Sequence, residues 1–174
     1  MASTKTLFAL LLVLATGASE ADNLRQQQRQ LSQMTGDIQT ADFSAALLAR
    51  INKERAAHGL GALCSNSKLK LSAERHVKDQ SGTDFMSDNG TDNSTPEQRA
   101  AAAGFKCSSV KENIDEGSPD ADSVVKNWMK GPGRENVLGK FTMLGSAYAF
   151  DDKTFNKHHW VSVFAAGSTE KCDQ

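Results

Sequence analysis

The chain has 174 residues, of which 39% are hydrophobic and 24% are charged. This length and composition fit one globular domain with a buried core and exclude a chain that is disordered throughout. Because 20 basic residues nearly balance 21 acidic ones, no global charge draws the protein to nucleic acid or to an anionic membrane surface, and neither is expected as a partner.

The N-terminal residues have the pattern of an export signal. Lys5 supplies a positive charge, an apolar run follows from Leu7 to Ala15, and small residues come next. The run is far shorter than the roughly 20 residues that cross a bilayer, and no later run approaches that length. We therefore predict a cleaved signal peptide over residues 1–21, no integral membrane segment, and a secreted, extracellular mature protein.

The segment after the signal, residues 22–41, is polar and rich in Gln. Its few apolar residues are too sparse to form a core of their own. We predict a flexible leader here, followed by one folded domain over residues 42–174.

Four helices are predicted in that domain from apolar residues at three- to four-residue spacing. They cover about Asp42 to His58, Ser67 to Gln80, Thr95 to Gly104, and Ser118 to just before Gly131. The third has the clearest start, since Thr95, Pro96 and Gln98 form an N-terminal capping pattern. A long polar loop precedes it.

Three strands are predicted, at Val110–Ile114, Leu144–Phe150 and His159–Ala165. The last two are separated by a polar turn and form a hairpin. Because the helices outnumber the strands and do not alternate regularly with them, the pattern favours an α+β fold over a parallel α/β sheet.

Three cysteines, at positions 64, 107 and 172, cannot all pair within one exported chain. Three single pairings exist, and spacing alone does not choose among them. We take Cys64–Cys172 as the pairing to test, with Cys107 left over. A loop of about a hundred residues closed in this way stabilises the fold by roughly 4 to 5 kcal/mol in the chain-entropy model.

Five segments, in this order, carry a resemblance to a known family. They read LARINKERAAHGLGAL (48–63), FMSDNGTDNSTPEQRAAAAG (85–104), KENI (111–114), WMKGPGRENVL (128–138) and WVSVFAAG (160–167). Over about residues 46–172 the chain resembles the CAP superfamily (cysteine-rich secretory proteins, antigen 5 and pathogenesis-related 1), especially its compact microbial members. The resemblance implies a three-layer α-β-α sandwich with a small central antiparallel sheet.

The family's cleft holds two histidines and two acidic residues that can coordinate a divalent cation. Glu112 matches the family's glutamate and His159 loosely matches one histidine, but Asp88 stands where the other histidine is expected. The histidine expected between Gly133 and Arg134 is missing. The resemblance therefore implies a degenerate cleft of Asp88, Glu112 and His159 with no bound metal, or at most a weak, oxygen-rich site for an ion such as Mg²⁺ or Ca²⁺.

The remaining histidines are given structural roles. His76 lies at the edge of an apolar helical stripe without a partner at metal spacing, so we assign it to packing. His58, beside Gly59, is placed to interact with a helix C-terminus. His158 and His159 point to opposite faces of a strand, so only one of them can face the cleft.

Aromatic residues at Tyr148, Phe150 and Phe155 have the spacing of the loose caveolin-binding pattern found in some sterol-binding CAP proteins. They are candidate lipid or sterol contacts. Simple strand alternation also places Tyr148 and Phe150 on one face.

Two glycosylation sequons, at Asn89 and Asn93, lie in the polar loop after Asp88. A glycan at either would crowd the cleft.

The functional hypothesis is a secreted, non-enzymatic, monomeric CAP-domain protein that binds a sterol, fatty acid or other small lipid, with a role in defence or virulence. The chain has no nucleophile elbow and no metalloprotease helix motif, so no catalytic residue is assigned. The alternatives are a module that binds an extracellular receptor or host protein and, third, a metal-dependent hydrolase.

Overall fold

The computed structural model describes residues 4–106 and 109–173, without side chains at 4–19 and 35–42. The chain divides into two compact units, residues 1–39 and residues 40–174. Cys107, the cysteine predicted to be left over, lies outside the described residues.

Helix α1 spans Thr4–Ala57 and so passes through the segment for which the composition predicts a flexible leader. Residues 20–34 are helical and exposed on every side. The structure has a helix where a flexible leader was predicted because Gln, Arg, Leu and Ala are good helix formers even where no apolar face is buried. Among the described residues, no helix is both long enough and apolar enough to cross a membrane.

All four predicted helices and all three predicted strands are present. Apart from α1, which begins far before its predicted start at Asp42, each lies within a few residues of its expected bounds. The elements after α1 are β1 Cys64–Ser65, α2 Ser67–Thr83, α3 Pro96–Ala102, β2 Ser109–Glu116, α4 Ala121–Lys130, α5 Arg134–Val137, β3 Met143–Phe150 and β4 His158–Ala166. Neither β1 nor α5 was predicted, because two and four residues are too few to show a period.

The described strands form one four-stranded sheet in the order β1-β3-β4-β2. β3, β4 and β2 are antiparallel as predicted, whereas β1 pairs in parallel with the start of β3. The sheet is therefore mixed, which corrects the expectation of a purely antiparallel one. β2 forms one outer edge, and beyond the two paired residues of β1 the other edge belongs to β3.

Each face of the sheet has its own buried core. On one face Trp160 and Phe164 pack with residues of α1, α4 and α5, and on the other Val161 and Val163 pack with α2 and α3. Alternate residues of β4 point to opposite faces and both sets are buried, as expected for a central strand. The predicted three-layer α-β-α sandwich is confirmed.

A buried arginine in the first family-like segment ties α1 to the chain after α5. The Arg55 guanidinium donates hydrogen bonds to the carbonyl oxygens of Gly61 at 2.8 Å, Val137 at 2.8 Å and Gly139 at 2.9 Å. Charged donors of this kind make strong hydrogen bonds in a buried setting. Arg55 therefore holds the end of α5 and the residues after it in place beside the edge strand β2.

The C-terminal tail is held against β1 by the predicted disulfide. Cys64 and Cys172 are bonded with an S–S distance of 2.07 Å. Beyond the bridge, the Asp173 amide donates to the Ser65 carbonyl at 2.9 Å, and the Asp173 carboxylate accepts from the Ser65 hydroxyl at 2.6 Å. The tail thus becomes part of the wall at the β3 edge.

Candidate functional site

A polar cleft lies at the outer edge of β2, with a volume of about 360 Å³. Asp88 and Glu112 line it together with Trp128 and three asparagines from β2, α4 and α5. Two of the three predicted cleft residues therefore share one cavity. The cleft is formed where the α2–α3 loop and the segment from α4 to α5 approach the same strand.

Side chains from α4 and α5 satisfy the outward carbonyls of this edge strand. Asn136 Nδ2 donates to the Glu112 carbonyl at 3.1 Å, and Trp128 Nε1 donates to the Ile114 carbonyl at 2.9 Å. Asn113 Nδ2 donates to the Gly133 carbonyl at 2.9 Å, and a Cβ atom at Gly133 would lie 2.8 Å from that nitrogen. The family-like segment around Gly133 and Asn136 therefore covers the edge, which discourages pairing with another strand.

The Glu112 carboxylate points to the opposite side of β2, toward α2 and α3, where two buried side chains meet it. Arg99 Nη2 donates to Glu112 Oε1 at 2.7 Å, and His76 Nε2 lies 3.5 Å from the same oxygen. The side chains of Glu112 and His76 are fully buried and Arg99 is 1% exposed. The three form one cluster inside the layer between the sheet and the helices.

Burial has opposite effects on the two titratable members of this cluster. It raises the pKa of the Glu112 carboxyl, and the Arg99 guanidinium opposes that rise. It lowers the pKa of His76, and the nearby charge of Arg99 lowers it further. Both shifts have the expected sign, since burial disfavours the charged form of each group.

His159 does not join Asp88 and Glu112. It pairs across the sheet with Glu116, whereas Glu112 pairs with Val163, four residues further along β4. At about 3.3 Å per residue, this places the two positions roughly 13 Å apart. The fully buried His159 ring instead contacts Thr154 Oγ1 at 3.0 Å and Glu116 Oε1 at 3.5 Å.

The predicted weak metal site of Asp88, Glu112 and His159 is therefore not assembled. Within the part of the chain that the structure describes, no three His, Cys, Asp or Glu residues lie close enough together to hold a metal ion. The Glu112 carboxylate also points away from the cleft and is paired with Arg99, so it is not placed to bind a divalent cation there.

Sequence reasoning missed His76 and Arg99 as partners of Glu112. A signal for His76 exists, since it follows Ala73 by three residues and so shares the buried face of α2. Arg99 lies in an alanine-rich helix of seven residues, where an arginine reads as a solvent-facing residue. Only the packing of α3 on β2 shows that it is buried.

A second cavity of about 360 Å³ lies at the β3 edge of the sheet, beside the short strand β1. Its lining is mostly apolar, with Ala45 and Leu48 from α1 facing Leu144 and Gly145 of β3. We call it the edge cavity. It exists because β1 covers only the first two residues of β3 and leaves the edge open beyond them.

The rim of the edge cavity is polar. Lys70 contributes an ammonium group, 39% exposed at the side chain and 3.6 Å from Glu74. Asp173 is also part of the lining and accepts a hydrogen bond from the Ser67 amide at 2.9 Å. The Ser44 hydroxyl donates to the Ser146 carbonyl at 2.7 Å and so satisfies one open edge group. An apolar cavity with a few polar groups at its mouth is the usual form of a small-molecule site.

The predicted aromatic patch does not form one surface. Tyr148 is buried, with its ring centroid 4.3 Å from that of Phe43 and 4.4 Å from that of Trp160. Phe150 and Phe155 are 55% and 89% exposed. Tyr148 therefore belongs to the core, as strand alternation allowed.

The two sequon asparagines, Asn89 and Asn93, are exposed in the loop between α2 and α3. This loop also supplies Asp88 to the polar cleft. Glycosylation at either residue stays a prediction.

Solved structures with a similar fold include the following three. An extracellular protein containing an SCP domain from Bacillus anthracis has a TM-score of 0.65 at 21% identity, covering 74% of this chain and 41% of that one. An outer surface protein from Borrelia burgdorferi has a TM-score of 0.64 at 18% identity, covering 72% and 90%. A cysteine-rich secretory protein from Staphylococcus aureus has a TM-score of 0.60 at 18% identity, covering 74% and 40%.

The aligned part of this chain thus spans about two fifths of the Bacillus and Staphylococcus proteins. No curated protein matches the sequence. The sequence pattern of the Cysteine-rich secretory protein family, CAP, matches residues 48–164. That range covers both cavities except for the first lining residues in α1 and Asp173 at the tail. With this match and the three-layer fold together, the chain belongs to the CAP family.

Proposed function

We propose that this protein acts outside the cell by holding a single-chain lipid, such as a fatty acid, in the edge cavity, and that it catalyses no reaction. The observation that carries the proposal is the edge cavity itself. Its volume lies near the lower end of the range for small-molecule sites. That size suits one acyl chain better than a rigid four-ring sterol.

The rim carries both a cationic and an anionic side chain, Lys70 and Asp173, and Lys70 is the group that can pair with an acidic lipid head group. Lys70 places a positive charge at the mouth, while Leu48 and Leu144 line the apolar interior. An acyl chain buried there gains roughly 0.8 kcal/mol for each CH₂ group removed from water. The buried position of Tyr148 supports the edge cavity over the aromatic hairpin as the lipid site.

An extracellular setting is supported by three observations. The N-terminus has the pattern of an export signal, and a disulfide joins residues 64 and 172. The similar folds from Bacillus and Borrelia are described as extracellular and outer-surface proteins. Recovery of the chain from the culture medium, with an N-terminus near residue 22, tests this part of the proposal.

Titration of purified protein with radiolabelled palmitate tests the lipid site. Ala45→Phe places a ring in the cavity, and we expect palmitate binding to fall at least about tenfold, the equivalent of ~1.4 kcal/mol. Ala46→Phe is the matched control, because Ala46 is exposed on the same helix without lining the cavity.

Lys70→Gln separates head-group recognition from chain burial. We expect it to weaken palmitate binding and to leave binding of the uncharged hexadecanol unchanged. No saturable binding of either lipid, or equal loss in both alanine variants, would contradict the proposal. Cholesterol binding that survives Ala45→Phe would place a sterol site elsewhere.

A further inference from the structure

The polar cleft at the β2 edge has a lining in which the ionisable side chains are acidic. Asp88 and Glu112 are these side chains, and of the described residues no Lys, Arg or His lines the cleft. The Glu112 carboxylate points away and pairs with Arg99. Asp88 is exposed, and its carboxylate has no hydrogen-bond or ion-pair partner among the described contacts. A ligand in the cleft therefore meets one unpaired negative charge.

The side-chain amides of the cleft use their donors inside the protein. Asn136 Nδ2 donates to the Glu112 carbonyl at 3.1 Å and to Asn113 Oδ1 at 2.7 Å. Asn127 Nδ2 donates to Asp115 Oδ2 at 3.2 Å. Because a backbone carbonyl only accepts hydrogen bonds, these contacts fix which end of each amide faces the protein. Within the described part of the chain, Asn127 Oδ1 and Asn136 Oδ1 accept no hydrogen bond, so both remain acceptors for a ligand.

The rest of the lining is apolar. Met86 is 53% exposed and lines the cleft with Pro132 and Trp128. The indole Nε1 of Trp128 already donates to the Ile114 carbonyl at 2.9 Å, so its ring offers the cleft an apolar surface. With a volume of about 360 Å³, the cleft has the size of a small-molecule site. It combines surfaces for methylene groups with oxygen acceptors.

We propose that the polar cleft binds a small aliphatic diamine or polyamine, with one ammonium group paired to Asp88. An ammonium group has three donors and no acceptor, which complements a lining of free oxygens and one carboxylate. It needs acceptors at about 2.7–2.9 Å, not the three or four ligands that converge on a metal ion at about 2 Å. The proposal does not depend on the lipid site, since that cavity lies at the β3 edge of the sheet.

The test is a titration of isotope-labelled protein with cadaverine, followed by the NMR signals of the two indole N–H groups. Trp128 lines the cleft, whereas Trp160 is fully buried and donates to the Ser118 carbonyl at 2.8 Å. We expect a saturable shift of the Trp128 signal and no shift of the Trp160 signal. For a ligand of this small size, the expected Kd is roughly 0.1–1 mM.

Two variants and an uncharged ligand give the result its specificity. Asp88→Asn keeps the backbone carbonyl that Arg99 contacts and should weaken cadaverine binding at least about tenfold, because it removes a charged acceptor. Asp152→Asn is the matched control, since Asp152 is exposed but does not line the cleft, and it should bind as the unaltered protein does. Pentanediol, with the same carbon chain and no charge, should give no saturable shift.

Three results would overturn the proposal. They are the absence of a saturable Trp128 shift at cadaverine concentrations well above the expected Kd, equal Kd values for the two aspartate variants, and saturation by pentanediol with a similar Kd. Shifts of both indole signals without saturation count as the first of these. Palmitate takes no part in the measurement, so a failure here is distinguishable from a failure of the lipid proposal.

Discussion

Replacement of either partner of the buried Arg99–Glu112 pair should destabilise the protein strongly. The pair is 2.7 Å long and almost completely buried. Loss of one partner leaves an uncompensated buried charge, which costs about 3–5 kcal/mol. We expect a loss of this size for Glu112→Gln, which leaves the guanidinium unpaired. The loss for Arg99→Met should be smaller, because the pKa of Glu112 is already raised to about 8 and its carboxyl takes up a proton once the guanidinium is gone.

The double variant, which combines Arg99→Met with Glu112→Gln, measures the coupling between the two side chains more directly than either single variant. Arg99→Met also removes the donor to the Asp88 carbonyl, a loss of about 1 kcal/mol that persists in the double variant. The buried charge does not persist, because neither partner is charged once both are replaced. The double variant should therefore lose about as much as Arg99→Met alone, which is about 3–5 kcal/mol less than the sum of the single losses.

Urea unfolding followed by tryptophan fluorescence measures all four proteins. Trp128 and Trp160 are 5% and 0% exposed, so both report on the loss of the core. Single losses below about 1 kcal/mol, or losses that add within ~0.5 kcal/mol, would refute the view that the pair is a coupled internal cross-link.

Three further predictions concern other parts of the fold. A Cβ atom at Gly145 would lie 2.1 Å from backbone atoms of α2, so Gly145→Ala should lower the free energy of unfolding by about 3 kcal/mol or more. Gly61→Ala is the control and should change the free energy little, because a Cβ atom at Gly61 would lie in open space. Equal urea midpoints for the two variants would be inconsistent with the packing of β3 on α2. Removal of the Cys64–Cys172 bridge by double alanine substitution should cost about 4.7 kcal/mol for a separation of 108 residues, and a loss below ~1 kcal/mol would argue against the bridge. Burial lowers the pKa of His76 below 6.5. The contribution of His76 to stability is therefore fully present above pH 6.5 and is lost as the pH falls through the folded-state pKa. The difference in unfolding free energy between the unaltered protein and His76→Gln should shrink from about pH 7.5 to about pH 5, and a difference that grows would contradict this sign.

The elements of the fold were predictable where local chemistry determines them. The capping box at Thr95 and Gln98 forms as the sequence predicts, and β4 is buried on both faces as its apolar run suggests. The extension of α1 before the domain was not predictable from burial, because residues 20–34 are helical although they are exposed. The parallel pairing of β1 with β3 was not predictable either, because β1 has only two residues and its partners in β3 are distant in sequence.

The site was predictable only in part. The family resemblance located Glu112 and Asp88 at one cleft. The expectation that this cleft lacks a zinc ion stays a prediction. The resemblance misplaced His159, because matching the residue before Trp160 to a family histidine does not say which residue of β2 lies opposite it. Arg99 could not be found from sequence, since its role arises from a contact with a residue 13 positions away across two packed elements.

Native mass spectrometry of the secreted protein tests the account most directly, because it weighs lipid and metal in the same spectrum. We expect one fatty acid per chain, absent in Ala45→Phe and retained in Ala46→Phe, and no zinc. A spectrum with no lipid, or with one zinc ion that disappears in Glu112→Gln, would contradict the account.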